Sequence, residues 1–182
     1  VFFAPGKEDN VGVIDAAADR FFTISTTAAG VTGTTTKYAG AAVVGTRVFF
    51  PPNHAIVVGV YDVRMGTFSS DVSTGSLPNG FNGAASVGTR VIFTPQNAEL
   101  VGVYDVRTNT YSATVCTGSL TMDGKFEGAA AVGTLVVFAP HNADVVGVYD
   151  VRTATFSSAV STGSLAMDFK FGGAAAVGTT VV

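Results

Sequence analysis

Residues 126–150 read FEGAAAVGTLVVFAPHNADVVGVYD, and this stretch holds most of a unit that recurs along the chain. The same Val-Gly-Thr segment, followed by an apolar run in the first three copies, starts at Val44, Val87, Val132 and Val177. A second segment, Val-Gly-Val-Tyr-Asp or Val-Gly-Val-Ile-Asp, ends at Asp15, Asp62, Asp105 and Asp150. These aspartates are 47, 43 and 45 residues apart. A fixed period of this length is the signature of a repeat architecture.

Each unit contains four short stretches with the composition of β-strands. They are Phe-X-Gly-Ala-Ala-X-Val, a β-branched and aromatic run, Val-Gly-Val-Tyr and Thr-aromatic-Ser. No segment shows a sustained 3.6-residue period, which argues against helices. Because the connections are short, we expect successive strands to pair as an antiparallel meander. The sequence therefore predicts an all-β fold of four-stranded antiparallel sheets.

The small residues of the first strand favour a particular arrangement of these sheets. Gly-Ala-Ala recurs at 40–42, 83–85, 128–130 and 173–175. In a β-propeller the innermost strands of all blades converge on one axis, where bulky side chains would hold the blades apart. The pattern predicts a four-bladed β-propeller, with a β-solenoid core as the alternative.

The first and last residues of the chain correspond to the same place in the repeat unit. Val181-Val182 aligns with Val136-Val137, which aligns with Val1-Phe2. We expect the N- and C-terminal strands to pair and close the last blade, which removes exposed edges. The prediction is one domain over 1–182, with repeats at about 38–80, 81–125, 126–170, and 171–182 plus 1–37. The same phase match also fits a fragment of a larger ring or half of a two-chain ring, so a monomer and a ring-completing homodimer both stay open.

The order of the strands resembles that of kelch propellers, in which a Tyr-Asp pair precedes a turn into a strand with an aromatic residue. Here the pairs end at Asp62, Asp105 and Asp150, and the aromatics are Phe68, Tyr111 and Phe156. The chain departs from the kelch pattern because Ala-Pro or Thr-Pro replaces the usual Gly-Gly, and it has no tryptophan. The resemblance implies blades of kelch geometry.

Composition excludes several classes of function. The chain is 47% hydrophobic and 13% charged, with a net charge of −3. No apolar run reaches the ~18 residues of a membrane helix, and no basic stripe is available for nucleic acid. The single cysteine, Cys116, is predicted to be a small buried side chain, since Ser73 and Ser161 are its equivalents. One thiol and no glycosylation sequon favour an intracellular compartment.

The repeated aspartates are predicted to accept backbone N–H groups within their turns, as Asx residues commonly do. Arginines follow two residues later in three copies, and we expect them to pair with the aspartates. This structural set comprises Asp15, Asp62, Asp105, Asp150, Arg64, Arg107 and Arg152.

The loop after the second strand varies most between copies. In a propeller such loops gather on one face, where binding residues sit on a rigid scaffold. The candidate binding residues are Lys7, Asp9, Asn53, His54, Gln96, Asn97, Glu99, His141, Asn142 and Asp144. Solvated loop side chains without a ligand are the alternative interpretation.

Catalytic chemistry has no clear sequence signature. The two histidines, His54 and His141, lack metal-ligand spacing and an assured third ligand, and no catalytic triad or phosphate-binding loop is evident. No cofactor and no metal are predicted. The sequence therefore favours a non-catalytic scaffold that binds another protein, with carbohydrate binding at equivalent shallow sites as the alternative.

Overall fold

The computed structural model describes residues 1–75 and 80–182, and its regular secondary structure is almost entirely β-strand. The strands are β1 (Phe2–Phe3), β2 (Asn10–Asp15), β3 (Arg20–Ser25), β4 (Ala42–Val44), β5 (Arg47–Phe50), β6 (Val57–Asp62), β7 (Thr67–Ser73), β8 (Phe81–Val87), β9 (Arg90–Pro95), β10 (Leu100–Asp105), β11 (Thr110–Cys116), β12 (Phe126–Val132), β13 (Leu135–Pro140), β14 (Val145–Asp150), β15 (Thr155–Ser161), β16 (Ala176–Val177) and β17 (Thr180–Val181). One 3₁₀-helix spans Thr27–Ala29. Among the described residues no helix is long and apolar enough to cross a membrane.

The strands form antiparallel meanders in chain order. Blade A is β4–β7, blade B is β8–β11 and blade C is β12–β15, each a four-stranded sheet. The head sheet, β1–β3, has three strands, and the tail hairpin, β16–β17, has two. The prediction of an all-β propeller with four-stranded antiparallel blades is confirmed, and the architecture is consistent with a four-bladed propeller. Blades A, B and C each make their own antiparallel sheet, so the β-solenoid alternative is wrong.

Glycines bring the first strands of neighbouring blades into backbone contact. An ideal Cβ on Gly83 would lie 2.7 Å from the Cα of Gly128, and one on Gly128 would lie 2.7 Å from the Cα of Gly173. Gly40 approaches Gly83 in the same way, at 2.6 Å. The φ angles of 102° at Gly83 and 77° at Gly128 are left-handed, and L side chains adopt them rarely. The small residues therefore let the first strands of neighbouring blades approach closely, as the sequence predicts.

Each complete blade is held together by three aromatic rings, here called an aromatic triad. In blade B, Phe81 of the first strand packs on Phe93 and Tyr111, with centroids 5.5 and 6.3 Å away. The third-strand glycine makes room, since a Cβ on Gly102 would lie 2.8 Å from the Phe81 ring. The first-strand rings of blades A, B and C, which are Tyr38, Phe81 and Phe126, are at most 1% exposed.

Apolar clusters fill the spaces between neighbouring sheets. Between blades A and B, Tyr104 and Val106 of the later blade pack on Phe49 of the earlier one. Tyr149 and Val151 pack on Ile92 between blades B and C in the same way. The core is therefore continuous from sheet to sheet, as expected of repeats that cannot bury their faces alone.

The fourth blade is divided between the two ends of the chain. In the described residues β1 pairs with β2, and β17 pairs with β16, in two separate sheets. The predicted pairing of the two ends is thus not made within this structure. Val182 exchanges backbone hydrogen bonds of 2.7 and 2.8 Å with Ala175, so Val181-Val182 fill the second-strand place that Val1-Phe2 fill in the head sheet. Because these two pairs of residues are equivalent, one must leave before the ends can form one sheet.

The prediction that Cys116 is buried is wrong. Cys116 is exposed, as are its equivalents Ser73 and Ser161. The reason is its place on the outermost strand, β11, whose outward side chains have no neighbouring strand to cover them.

Candidate functional site: the loop face

The loops between second and third strands share one face with the connections between blades. The Asn53 N–H donates to the Lys37 carbonyl at 2.9 Å, and the His141 N–H donates to the Lys125 carbonyl at 2.9 Å. The loop face is defined here as residues 6–9, 53–56, 96–99 and 141–144 with the connections 26–37, 117–125 and 162–170. It holds all ten candidate binding residues of the sequence analysis.

Two of the candidate carboxylates bind buried lysines that precede the next blade. Asp9 Oδ1 lies 2.9 Å from Lys37 Nζ, and Asp144 Oδ1 lies 2.9 Å from Lys170 Nζ. The Lys37 side chain is 4% exposed and that of Lys170 is 1% exposed. A buried ammonium needs such a partner, so these carboxylates serve the junctions between sheets.

The equivalent carboxylate–lysine pair between blades B and C is Glu99 with Lys125, and between blades A and B both residues are replaced. Lys125 is fully buried and donates to the Met122 carbonyl at 3.1 Å. Burial lowers the pKa of Lys125, and the carboxylates of Asp123 and Glu99 act in the opposite direction. In blades A and B, the equivalent positions are Ile56 and Gly80, so the carboxylate and the lysine are lost together.

Most candidate amides also bond across the junctions. Asn53 Nδ2 donates to the Phe81 carbonyl at 3.0 Å and to Gln96 Oε1 at 3.2 Å. Asn97 Oδ1 accepts from the Gly124 N–H at 2.7 Å. These side chains are thus committed to the fold.

Asn142 links two neighbouring connections. Its Nδ2 donates to the Asp123 carbonyl at 3.0 Å, and its Oδ1 accepts from the Phe169 N–H at 3.1 Å. The connections before and after blade C are therefore held side by side.

The two histidines do not come together. His141 Nε2 lies 2.9 Å from Glu127 Oε2, and its Nδ1 lies 3.2 Å from the Gly124 carbonyl. His54 is exposed, with Nδ1 3.0 Å from the Thr36 carbonyl. Over 1–75 and 80–182 no group of three or more His, Cys, Asp or Glu side chains is placed to hold a metal. Lys7 and Glu99 are exposed, and their carbonyls accept from Lys37 Nζ and the Thr117 hydroxyl.

The repeated aspartates, on the opposite face that is here called the turn face, accept backbone N–H groups within their turns. Asp62 Oδ1 accepts from the Arg64 and Met65 N–H groups at 2.9 and 3.2 Å, and Asp150 Oδ1 accepts from the Arg152 N–H at 2.9 Å. That bond from the Arg152 N–H holds the pKa of Asp150 below its usual value. Asp15 and Asp105 cap their turns in the same way.

In the part of the chain that the structure describes, Arg64, Arg107 and Arg152 form no salt bridge with these aspartates, although we expected them to pair. Among the described residues the ion pair made by a turn aspartate is that of Asp105 with Arg90, at 3.7 Å. The turn presents the arginine backbone to the carboxylate, and the arginine side chains extend into solvent.

The loop face also carries exposed apolar side chains that the sequence analysis did not identify. Met122 and Met167 occupy equivalent places in Met-Asp dipeptides before and after blade C, and they are 41% and 67% exposed. Phe169 is 76% exposed, and its ring lies edge-on to His141 at 4.7 Å. The repetition of Met-Asp was the available signal. We call Met122, Met167 and Phe169 the apolar patch.

Polar clefts recur between blades on the other side of the molecule. The cleft between blades A and B has a volume of about 210 Å³ and contains Arg47, Asp62, Ser69 and Tyr104. The cleft between blades B and C, of about 280 Å³, contains the equivalent set Arg90, Asp105, Ser112 and Tyr149. Each offers hydroxyl, carboxylate and guanidinium groups beside an aromatic ring.

Solved structures support the propeller fold. The WD40 repeats of RRP9 match with a TM-score of 0.65 at 15% identity, over 86% of this chain and 46% of that one. U3-55K matches with a TM-score of 0.65 at 11% identity, over 97% of this chain and 53% of that one. The computationally designed Ika4 protein matches with a TM-score of 0.57 at 13% identity, over 80% of this chain and 82% of that one. No family model matches the sequence, and the search of curated proteins gave no match.

The chain thus spans about half the length of the two natural structures named above. These likenesses show a propeller fold of the repeat type. The kelch resemblance is confirmed only to that extent.

Proposed function

We propose that this chain is a non-catalytic scaffold that binds another protein through its loop face. The observation that carries the proposal is the apolar patch of Met122, Met167 and Phe169, which stands in solvent on a face whose polar side chains mostly bond within the fold. Methionine and aromatic side chains are enriched where proteins bind one another. The WD40 neighbours support a propeller of the kind that presents such a face.

The charges around the apolar patch favour a partner with basic groups. Asp123 and Asp168 follow the two methionines directly, and Asp144 is 70% exposed beside Lys170. A rim of carboxylates around an apolar centre speeds the approach of a basic surface. We further propose that the unit is of kelch type in its Tyr-Asp turn, with the aspartate serving that turn.

The test is a chemical cross-linking pull-down with a matched control. The loop-face variant carries Met122→Ser, Met167→Ser and Phe169→Ser, and the control carries Met65→Ser, whose side chain is 72% exposed on the turn face. We expect proteins retained by the wild type and by the control to be lost from the loop-face variant. The same retained set from all three would contradict the proposal.

Carbohydrate binding is the second candidate, and the repeated polar clefts favour it. A cleft with Arg47, Asp62 and Ser69 offers the donors and acceptors that sugar hydroxyls use. A glycan array separates the two candidates, since Ser69→Ala, a small change in the cleft lining, should weaken any sugar signal and leave the protein partners of the loop face unchanged.

A further inference from the structure

The divided fourth blade leaves one aromatic triad split between the two ends of the chain. In the head sheet Phe3 and Phe21 pack with centroids 6.5 Å apart, at the places of Phe93 and Tyr111 in blade B. The ring that belongs on top of them comes from the first strand, and the equivalent residue is Phe171 of the tail. Phe3 is 52% exposed, Phe21 is 60% and Phe171 is 45%, whereas Phe81 and Phe126 are fully buried.

The head sheet keeps the space that this ring would occupy. Gly12 stands at the place of Gly102, and the atoms nearest to an ideal Cβ on it belong to the Phe3 and Phe21 side chains, at 3.2 and 3.3 Å. The open groove over Phe3, Gly12 and Phe21 has a volume of about 470 Å³. The groove therefore fits a first strand of the Phe-X-Gly-Ala-Ala type.

Gly173 and Val63 are more open than the equivalent residues of the other blades, which contact a neighbouring sheet. Gly128 meets Gly173, but nothing lies within 4 Å of a Cβ built on Gly173. Val63 is 49% exposed, whereas its equivalents Val106 and Val151 are 8% and 6% exposed because the preceding blade covers them. Among the described residues, no sheet packs beyond the tail hairpin and no first strand lies on the head sheet.

We infer that the groove of the head sheet takes the tail strand, residues 170–177, of a second copy of this chain, so that two copies close one ring. Docking would continue the junctions already present between blades A, B and C. By the register of blades B and C, Phe171 would lie opposite Pro5 of the other copy and Ala174 opposite Phe3. The same register places Ala175 opposite Phe2 and Ala176 opposite Val1, so docking requires Val181-Val182 to leave the second-strand place beside them.

The curvature of the chain favours a second copy over its own tail. Within one chain the tail packs beside Val137 and Phe138 of blade C, and the head sheet packs on blade A. Nearly the whole chain matches about half of U3-55K, so its sheets follow the course of only part of that chain. Two such arcs related by a two-fold axis meet head to tail twice, and each head sheet then gains the first strand that its groove fits.

The test begins with the mass of the 182-residue chain in solution by light scattering. We expect twice the 18.5 kDa of one chain at micromolar concentration. A monomer, or an open series of larger masses, would overturn the inference. Phe171→Ala removes a buried ring from both junctions of the ring, which should weaken dimerisation by about a hundredfold or more. Met167→Ala, a change of similar size at an exposed residue outside the triad, should leave it unchanged.

Mixing two defective variants distinguishes docking of the tail on a second copy from docking on the head sheet of the same chain. Phe171→Ala damages the tail and Phe21→Ala damages the groove, so a mixed dimer keeps one intact junction. We expect the mixture to dimerise at a concentration at which each variant alone is monomeric. Gly173→Ala should also weaken dimerisation without changing the circular dichroism of the monomer. A monomeric wild type with no recovery on mixing would overturn the inference.

Discussion

Replacing Gly83 by alanine tests whether the first strands really meet at their glycines. The new methyl group would lie 2.7 Å from the Cα of Gly128, a distance that real Cβ atoms do not tolerate, and both groups belong to backbone that cannot rotate away. The φ of 102° adds strain, because L residues rarely adopt it. We assign about 1–3 kcal/mol to the strained backbone and about 1–3 kcal/mol to the overpacked contact.

The sum is a loss of about 2–6 kcal/mol in the free energy of unfolding, which lowers Tm by roughly 5–20 °C in a chain of this size. Urea unfolding followed by circular dichroism measures it. Gly133→Ala is the control for backbone strain, because its φ is 60° and no atom lies within 4 Å of its Cβ, so it should cost about 1 kcal/mol. Gly6→Ala, with neither feature, should stay within about 0.5 kcal/mol of the wild type. If Gly83→Ala costs no more than Gly133→Ala, the inner strands are not in contact.

Three further changes test the junctions and turns. Asp9→Asn should cost about 1–2 kcal/mol, since Asp9 is partly exposed while Lys37 is buried, and adding Lys37→Met should recover part of the loss in a double-mutant cycle by urea unfolding. Lys125→Met should gain stability relative to the wild type at pH 7. Burial lowers the pKa of Lys125 in the folded chain, so Lys125 keeps its proton to higher pH in the unfolded chain. The free energy of unfolding of the wild type should therefore rise, relative to that of Lys125→Met, as pH rises from the folded pKa towards 10.5. Asp150→Ala should destabilise the fold at neutral pH. Because the pKa of Asp150 is lowered in the folded chain, that difference should fade as pH falls below 3.8 through the folded pKa, whereas a difference independent of pH would contradict the capping role.

The strands, the turn aspartates and the central glycines are predictable from the sequence because each rests on local pattern. Val-Gly-Val-Tyr alternation defines a strand, and an aspartate before a turn can bond only to nearby N–H groups. The Gly-Ala-Ala segments point to a crowded centre because no bulky residue intervenes. These features need no knowledge of how one blade meets the next.

The role of the loop side chains was not predictable in the same way, because it depends on the neighbouring blade. Asp9 and Asp144 look like free loop carboxylates until the fold brings Lys37 and Lys170 beside them. One signal was present, since Ile56 and Gly80 replace the carboxylate and the lysine in the same junction. The exposure of Cys116 likewise depends on β11 being the outermost strand of blade B, which no local pattern specifies.

The central claim is that equivalent positions of neighbouring first strands meet, and a disulfide trap tests it most directly. Ser86 donates from Oγ to the Val43 carbonyl at 3.0 Å, and the two residues are equivalent in blades B and A. In a Cys116→Ser background, Val43→Cys with Ser86→Cys should form a disulfide within one chain on mild oxidation, seen as a faster band on a non-reducing gel. Val43→Cys with Val160→Cys, on the outermost strand of blade C, should not. Absence of the first cross-link, or equal formation of both, would contradict the account.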